Sequence, residues 1–551
     1  MNKLPHTLSL LLVALLILLA ACNLNKKQPT PETNECPLPE NLSSVLPVSA
    51  PNPEEVFVDG QILLVGGPPD KNAPSDIDEL VNQPEDLEDL NLEELSPKDD
   101  RLRNVLNLNG LPVEVRLFST TEAVWVAVER INTQALKRKL RVLAEPDYIT
   151  NLPIGGSGND GGSGIVGDPS GPGGRIGDGR ARFVSQWAFS GPASIQLFDD
   201  NTSHKRTPGS LTGVGTRVVV FDTTPLSQGG QNIDWAVLPF RLCVWQPGLR
   251  FGVSGAGAAT PTPDNKVLKG EHGLFVSGLA QGVAPGSEYY LIEVLDSKAR
   301  GDVYTLIRAI ALYLNTQPEL PEMKTVFNMS LGIQAERVGL GQGATPAIDA
   351  LRNNLKNNYA TFDDYSFLAE LSNRFPAIAL KAAVASAEQA GVVVVAAAGN
   401  DRGANPNAQE QAPASFSEVI GVASSNYDRE ASCFSNPGDL SAPGGGDLGN
   451  SGCHEETPIF YDSEDAECKQ GVVSLVTQGV DTSGYAYWMG TSFSTPIVSG
   501  LAALVWEEDL NRPTEKVRDI LKCGVTSVSS GSSPVLGLGI ANVGEALSSC
   551  P

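Results

Sequence analysis

The chain has 551 residues, 41% of them apolar and 19% charged, and a formal net charge of −25. At about 150 residues per domain that length exceeds one ordinary domain, and the apolar share is enough for a large globular core. The acidic surplus excludes nucleic acid as a partner, since no basic excess is available to replace condensed counterions, and it suits a soluble, exported protein.

In chain order, Lys3 precedes an apolar run from Leu8 to Ala21. It falls short of the ~20 residues that a membrane span needs, and it fits the centre of a secretory signal. The run closes with Leu19-Ala20-Ala21-Cys22, which resembles a bacterial lipobox. Residues 1–21 are therefore read as a lipoprotein signal, and Cys22 as the acylated residue that anchors the chain to a membrane. The alternative is ordinary signal cleavage with Cys22 incidental. Residues 22–52, rich in Pro and Asn, read as a flexible tether.

Residues 53–152 have the composition of a small α+β module. Val56–Val58 and Gln61–Val65 read as strands, and the acidic stretch from Glu85 to Glu94 as mobile. Val113–Leu117 and Val124–Val128 alternate like paired strands. Asn132–Leu140 reads as a helix, and Val142–Ile149 closes the module. Residues 153–181 form a linker, because the Gly-rich run from Gly155 to Gly179 cannot bury enough apolar area to order itself.

From residue 182 to 551 short apolar strands alternate with helices. Val218–Phe221 ends at Asp222, and His272–Gly282 reads as a buried small-residue helix. The pattern continues with strand Tyr290–Leu295, helix Asp302–Asn315, strand Val326–Leu331, helix Ile378–Ala390, strands Val392–Ala396 and Val419–Ala423, and a helix opening at Ser492. Continuous Val/Ile/Leu strands between helices imply an α/β fold, a doubly wound and mostly parallel sheet with helices on both faces. Sites in such sheets lie beyond the carboxyl ends of strands, where Asp222 and Asn400 stand. The tail from Thr514 reads as a closing helix and strands.

Eight cysteines are present. With Cys22 acylated and Cys36 in the tether, Cys243, Cys433, Cys453, Cys468, Cys523 and Cys550 suggest up to three disulfides in an exported domain. Six cysteines allow fifteen connectivities, among which Cys453–Cys468 and Cys523–Cys550 are the pairings expected from closeness in sequence. No zinc-ligand spacing occurs, so no metal ligand is assigned.

Gly490-Thr491-Ser492-Phe493-Ser494-Thr495-Pro496 sets a serine hydroxyl at a helix N-terminus, where free N–H groups favour developing negative charge. Taken alone, Ser492 is also an ordinary helix cap. The stretch resembles the nucleophile motif of the subtilisin-like serine proteases. His272-Gly273, Asp222 after three apolar strand residues, Asn400 in Ala396-Ala397-Ala398-Gly399-Asn400, and Ser330-Leu331-Gly332 resemble the other motifs of that family in its chain order. The Glu145-Pro146-Asp147-Tyr148 ending resembles the tail of its inhibitory propeptides.

The resemblance implies Asp222, His272 and Ser492 as a catalytic triad, with Asn400 in the oxyanion hole. It implies substrate binding along Ser330, Leu331, Gly332, Ala397, Ala398 and Gly399, with part of the side-chain pocket drawn from Gln409–Ala414. Polypeptides are then the substrates, the chain's own prodomain is the inhibitor in cis, and no cofactor is required for chemistry. Calcium sites are common in the family, but no ligands are placed here. The location implied is the bacterial cell envelope, lipid-anchored outside the cytoplasm, with release of the catalytic domain on processing.

Two departures stand out. Thr223-Thr224-Pro225 follows the aspartate where the family usually has glycine two residues on, and Leu274-Phe275 follows His272-Gly273. A catalytically inactive peptide-binding relative, or a structural surface lipoprotein, are the alternatives that those changes leave open. Insertions are expected near 228–265, 333–375 and 444–469.

Overall fold

A computed structural model describes residues 57–67, 75–82, 87–96, 104–108, 111–151, 183, 186–198, 206–207, 209–225, 242–245, 269–296, 299–316, 322–333, 377–403, 405–446, 471–476, 484–528 and 534–550. All fall in one compact unit spanning Glu40–Pro551. The signal, Cys22, the tether, the Gly-rich linker and Cys453–Cys468 lie outside the described residues.

The first module packs two helices and a short antiparallel sheet. Its strands are β1 (Phe57–Gly66), β2 (Glu93–Glu94), β3 (Asn104–Leu108), β4 (Leu111–Ser119) and β5 (Val142–Asn151), with helices α1 (Asp76–Asn82) and α2 (Val124–Lys137). The two strand segments expected near its start are one strand, with an irregular register between Phe57 and Ile62.

Val124–Val128 is not a strand. It opens α2, whose buried residues Val124, Ala127, Val128, Ile131 and Ala135 recur at helical spacing. Val126, which alternation would bury, is 44% exposed. A three-to-four period overrides a short period-two run when only the former gives a single apolar face. The acidic stretch is also more ordered than expected: Glu93-Glu94 pairs with Ser119 and Phe118, and Asp89 holds Arg130 at 2.6 Å.

The second sheet has nine strands among the described residues. They are β6 (Thr216–Asp222), β7 (Leu242–Trp245), β8 (Glu288–Glu293), β10 (Lys324–Met329), β12 (Val392–Ala397), β13 (Val419–Ser425), β14 (Leu440–Pro443), β17 (Val525–Thr526) and β18 (Ile540–Ala541). The remaining strands are β9 (Arg300–Asp302), β11 (Gly332–Ile333) and a hairpin of β15 (Val472–Leu475) and β16 (Tyr485–Trp488). Helices α3 (His272–Val283), α4 (Val303–Thr316), α5 (Ile378–Gln389), α6 (Thr491–Glu508), α7 (Thr514–Cys523) and α8 (Val543–Ser548) complete the unit.

The order is β17-β18-β14-β13-β12-β10-β6-β8-β7, parallel except at β17. From β6 the chain passes to the edge strand β7, returns to β8 between the two, then crosses to β10 on the other side of β6 and proceeds that way. The switch point therefore lies between β6 and β10, which in open α/β sheets is where a ligand crevice forms. Strands such as β12, with all six residues buried, need helices on both faces. The core includes Phe275, Leu279, Ile497, Leu501 and Trp506 from α3 and α6. The Cys523–Cys550 disulfide pins α7 to the C-terminal end, and Cys243 and Cys433 are also disulfide-bonded. Among the described residues no helix is long and apolar enough to cross a membrane.

Candidate active site

Asp222 closes β6 and is fully buried. Its two carboxylate oxygens stand 2.8 and 2.9 Å from Nδ1 of His272, the first residue of α3. An ionised carboxylate only accepts, so Nδ1 carries the proton and Nε2 is left as the basic nitrogen. Asp222 Oδ1 also accepts the Thr223 N–H at 2.7 Å.

Thr223 then ties the aspartate turn to the histidine helix. Its hydroxyl donates to the Gly270 carbonyl and accepts from the Gly273 N–H, each at 3.1 Å. Gly273 lies so close that a Cβ there would overlap the Thr223 carbonyl. Thr223 is thus an orienting contact, while Thr224, which stands where the family usually has glycine, donates its hydroxyl to Glu293 Oε1 at 3.0 Å. Leu274 and Phe275 are equally integrated. Phe275 packs on Trp488 and Phe493, at 5.4 and 4.7 Å between ring centroids, and both of those rings lie 5.2 Å from the imidazole. The three aromatics wall His272 off from water, and among the described residues its Nε2 has no hydrogen-bond partner.

Ser492 is the second residue of α6 and is 2% exposed. Its hydroxyl donates to the Ser330 carbonyl at 3.2 Å rather than to His272. The Ser330 hydroxyl in turn donates to the Ser492 carbonyl at 2.7 Å. Asn328 donates to the Ser330 hydroxyl at 2.9 Å, and Ser499 donates to Asn328 at 2.9 Å. This chain of bonds locks the end of β10 to the first turns of α6.

Asn400 follows β12, and its Oδ1 accepts from the Thr491 N–H at 3.0 Å and the Thr491 hydroxyl at 2.9 Å. A backbone donor on Oδ1 fixes the amide, so the NH2 group faces the other way, toward Gly490. Asp222, His272, Ser330, Asn400 and Ser492 therefore converge beyond the carboxyl ends of β6, β10 and β12. Leu331 and Gly332 continue from β10 into β11, while Ala397, Ala398 and Gly399 run off β12. Cys22 lies outside the described residues. No motif singles out Trp488, and Thr223 stands out only as the neighbour of the departing Thr224.

The first module lies against this site. The end of β5 pairs antiparallel with β9 and β11, setting Asn151 opposite Gly332. Glu145 is buried and accepts the Ile378 and Ala379 N–H groups at the start of α5, at 2.7 and 2.9 Å. Asp147 accepts the Tyr304 N–H at the start of α4 at 3.0 Å. Both carboxylates satisfy helix N-termini, where negative charge is favoured. Burial nevertheless pushes the Glu145 carboxyl up to about 8, the two N–H donors working against that and the neighbouring Asp147 with it. Among the described residues no group of three or more His, Cys, Asp or Glu is arranged to hold a metal ion, so no calcium site is assigned.

The subtilase family of peptidases (S8) matches residues 252–538. Subtilisin of Bacillus pumilus is 27% identical over 332 residues, covering 58% of this chain and 92% of that one. Subtilisin E of Bacillus subtilis (strain 168) is 26% identical over 332 residues, covering 58% of this chain and 66% of its own length. Among solved structures, the epidermin leader peptide processing serine protease of Staphylococcus aureus is similar at 19% identity and a TM-score of 0.49, over 88% of this chain and 98% of that chain.

Proposed function

The chain belongs to the subtilase family, and from that premise we propose that it is an exported serine endopeptidase made as a lipid-tethered zymogen. The observation that carries this reading is the fully buried Asp222–His272 pair, with both carboxylate oxygens on Nδ1 and the imidazole 5.2 Å from the ring of Phe493, the residue after Ser492.

In this reading Ser492 is the nucleophile and His272 Nε2 takes its proton, later returning it to the leaving amine. Asp222 holds the ring and stabilises the imidazolium. The Asn400 NH2 group and the Ser492 N–H stabilise the oxyanion. An extended substrate adds as a strand beside Ser330–Gly332, so affinity comes largely from the backbone. A substrate N–H on the Ser330 carbonyl would take over the acceptor that the Ser492 hydroxyl now uses. The hydroxyl would then turn to His272, closing the triad when substrate arrives.

Pairing of β5 with β11 supports the zymogen reading, because it occupies the edge that a substrate would use. Residues 53–152 would then be the inhibitory prodomain. With lipid on Cys22, cleavage between about Leu152 and Arg182 would cut the covalent link to the membrane as well as unblock the site. The test is to express the full chain beside Ser492→Ala and follow its size and membrane association. Shortening and release in the wild type alone is the expected result. A wild type that is processed and active yet still pellets with membranes after the prodomain is stripped would overturn the release step. A wild type that stays inactive after the prodomain is removed in trans would overturn the enzyme reading.

A further inference from the structure

Two wall segments leave the ends of β10 and β12 and frame a slot beside Ser492. One is Ser330–Gly332, whose Ser330 carbonyl is 3.2 Å from the nucleophile candidate. The other is Ala397–Gly399. The floor joins them, since the Gln411 N–H donates to Ala398 at 2.9 Å and the Ile333 N–H donates to Ala412 at 3.0 Å. On the endopeptidase reading, a substrate laid along β11 would pass Ser492 and project the side chain nearest the scissile bond into this slot.

The slot is already occupied. A Cβ on Gly332 would overlap Gln411 Oε1, and a Cβ on Gly399 would fall within 2.9 Å of Gln411 Cγ and Cδ. Gly332 therefore yields its side-chain space to Gln411, which is 5% exposed, and Gly399 yields its own to Gln411 and Asn436 together. Its amide is held from behind. Nε2 donates to Asp401 Oδ2, which also accepts from Asn436 at 3.1 Å. A carboxylate accepts only, so the nitrogen must face Asp401 and the oxygen must face Gly332. That Oε1 is buried and, among the described residues, receives no hydrogen bond.

We infer that Gln411 plugs the specificity slot, so that the residue before the scissile bond must be small, alanine or serine rather than leucine or phenylalanine. The inference rests on the endopeptidase reading and names its substrate class. A large apolar side chain would have to displace Gln411 from Asp401 and leave polar groups buried without partners, which costs more than the area it buries. Serine has the further advantage that its hydroxyl can donate to Oε1.

The experiment has two arms on the full chain. In the first, the processed enzyme is given peptides with Ala, Ser, Leu or Phe before the scissile bond. Wild type should cleave the Ala and Ser peptides at least about tenfold better in kcat/KM, and Gln411→Gly should reverse the order, within the ~10–200-fold range of apolar pocket discrimination. A wild type that prefers Phe, or a Gln411→Gly variant with the order unchanged, would overturn the inference. The second arm needs no activity. Gly332→Ala should lower the melting temperature, and adding Gln411→Ala should restore most of the loss. A Gly332→Ala chain as stable as wild type would mean that Gln411 does not fill the slot. If Ser492 takes up no serine-directed label, the endopeptidase reading fails, and the melting arm still decides the slot.

Discussion

In the nine-stranded sheet, charge is confined to strand ends. Arg217 near the start of β6 pairs with Glu288 at the start of β8 at 2.7 Å, and Asp222 and Glu293 stand at the opposite ends of the same strands. Between them lie buried aliphatic and aromatic side chains. The smaller sheet instead buries Glu114, Arg116, Glu145 and Asp147. Arg116 is held inside its own module by Glu114 at 3.0 Å and Asp78 at 2.6 Å, whereas Glu145 and Asp147 reach out to the starts of α5 and α4. The difference separates two kinds of attachment. Non-directional apolar burial holds the large sheet together, while strand pairing of β5 with β9 and β11 and directional bonds to two buried carboxyl groups attach the smaller module to it.

The largest effect should come from the large-sheet side. Asn400→Gly should lower turnover by about 10²–10³, a range itself measured in a subtilisin, with little change in KM. Equal losses in binding and turnover would mean that Asn400 only shapes the cleft.

Next is the pH dependence of docking. Burial raises Glu145 from the 4.5 of an exposed carboxyl to about 8. The docked module therefore holds a proton that the undocked one releases between those values. Docking should therefore be strongest at and below about pH 4.5, weaken by up to tenfold per pH unit as pH rises, and level off above about 8. Retention of the cleaved module by the enzyme across that range checks this, and Glu145→Gln should flatten the profile. A slope that survives Glu145→Gln would place the titrating group elsewhere.

Asp147→Ala removes one helix cap, worth about 1 kcal/mol, and should loosen the module about fivefold. Unchanged retention would mean that the Tyr304 N–H finds another acceptor. Smallest of all is Arg130→Ala. Its ion pair with Asp89 is solvent-screened, so melting of the full chain should not move measurably, and a clear loss would show that surface charge also holds this module.

How far the residues foretold this arrangement differs between the two regions in the same way. Val392–Val395 reads as a buried strand because a run of β-branched residues next to Gly has few other outlets, and β6, β10 and β13 share that clarity. Val124–Val128 misleads because five residues satisfy two periods at once, and only Ile131 and Ala135 further along decide for the helix. The two faces of the Asp222–His272 contact lie fifty residues apart, and their convergence follows from β6 preceding α3 at the switch point. Gln411 falls within Gln409–Ala414, the stretch expected to form part of the side-chain pocket, but no motif singles it out there, and Asn436 has no motif at all. Their role comes from glycines at 332 and 399, which make room for a side chain far along the chain.

The most direct test of the central claim is to treat the folded full chain, after removal of the prodomain (residues 53–152) by processing or by added protease, with a fluorophosphonate and map the adduct by mass spectrometry. The account predicts one adduct, on Ser492, that is lost in His272→Ala. A folded, unblocked chain that takes up no adduct, or takes it elsewhere, would contradict it and leave a cleft that binds peptides without cutting them.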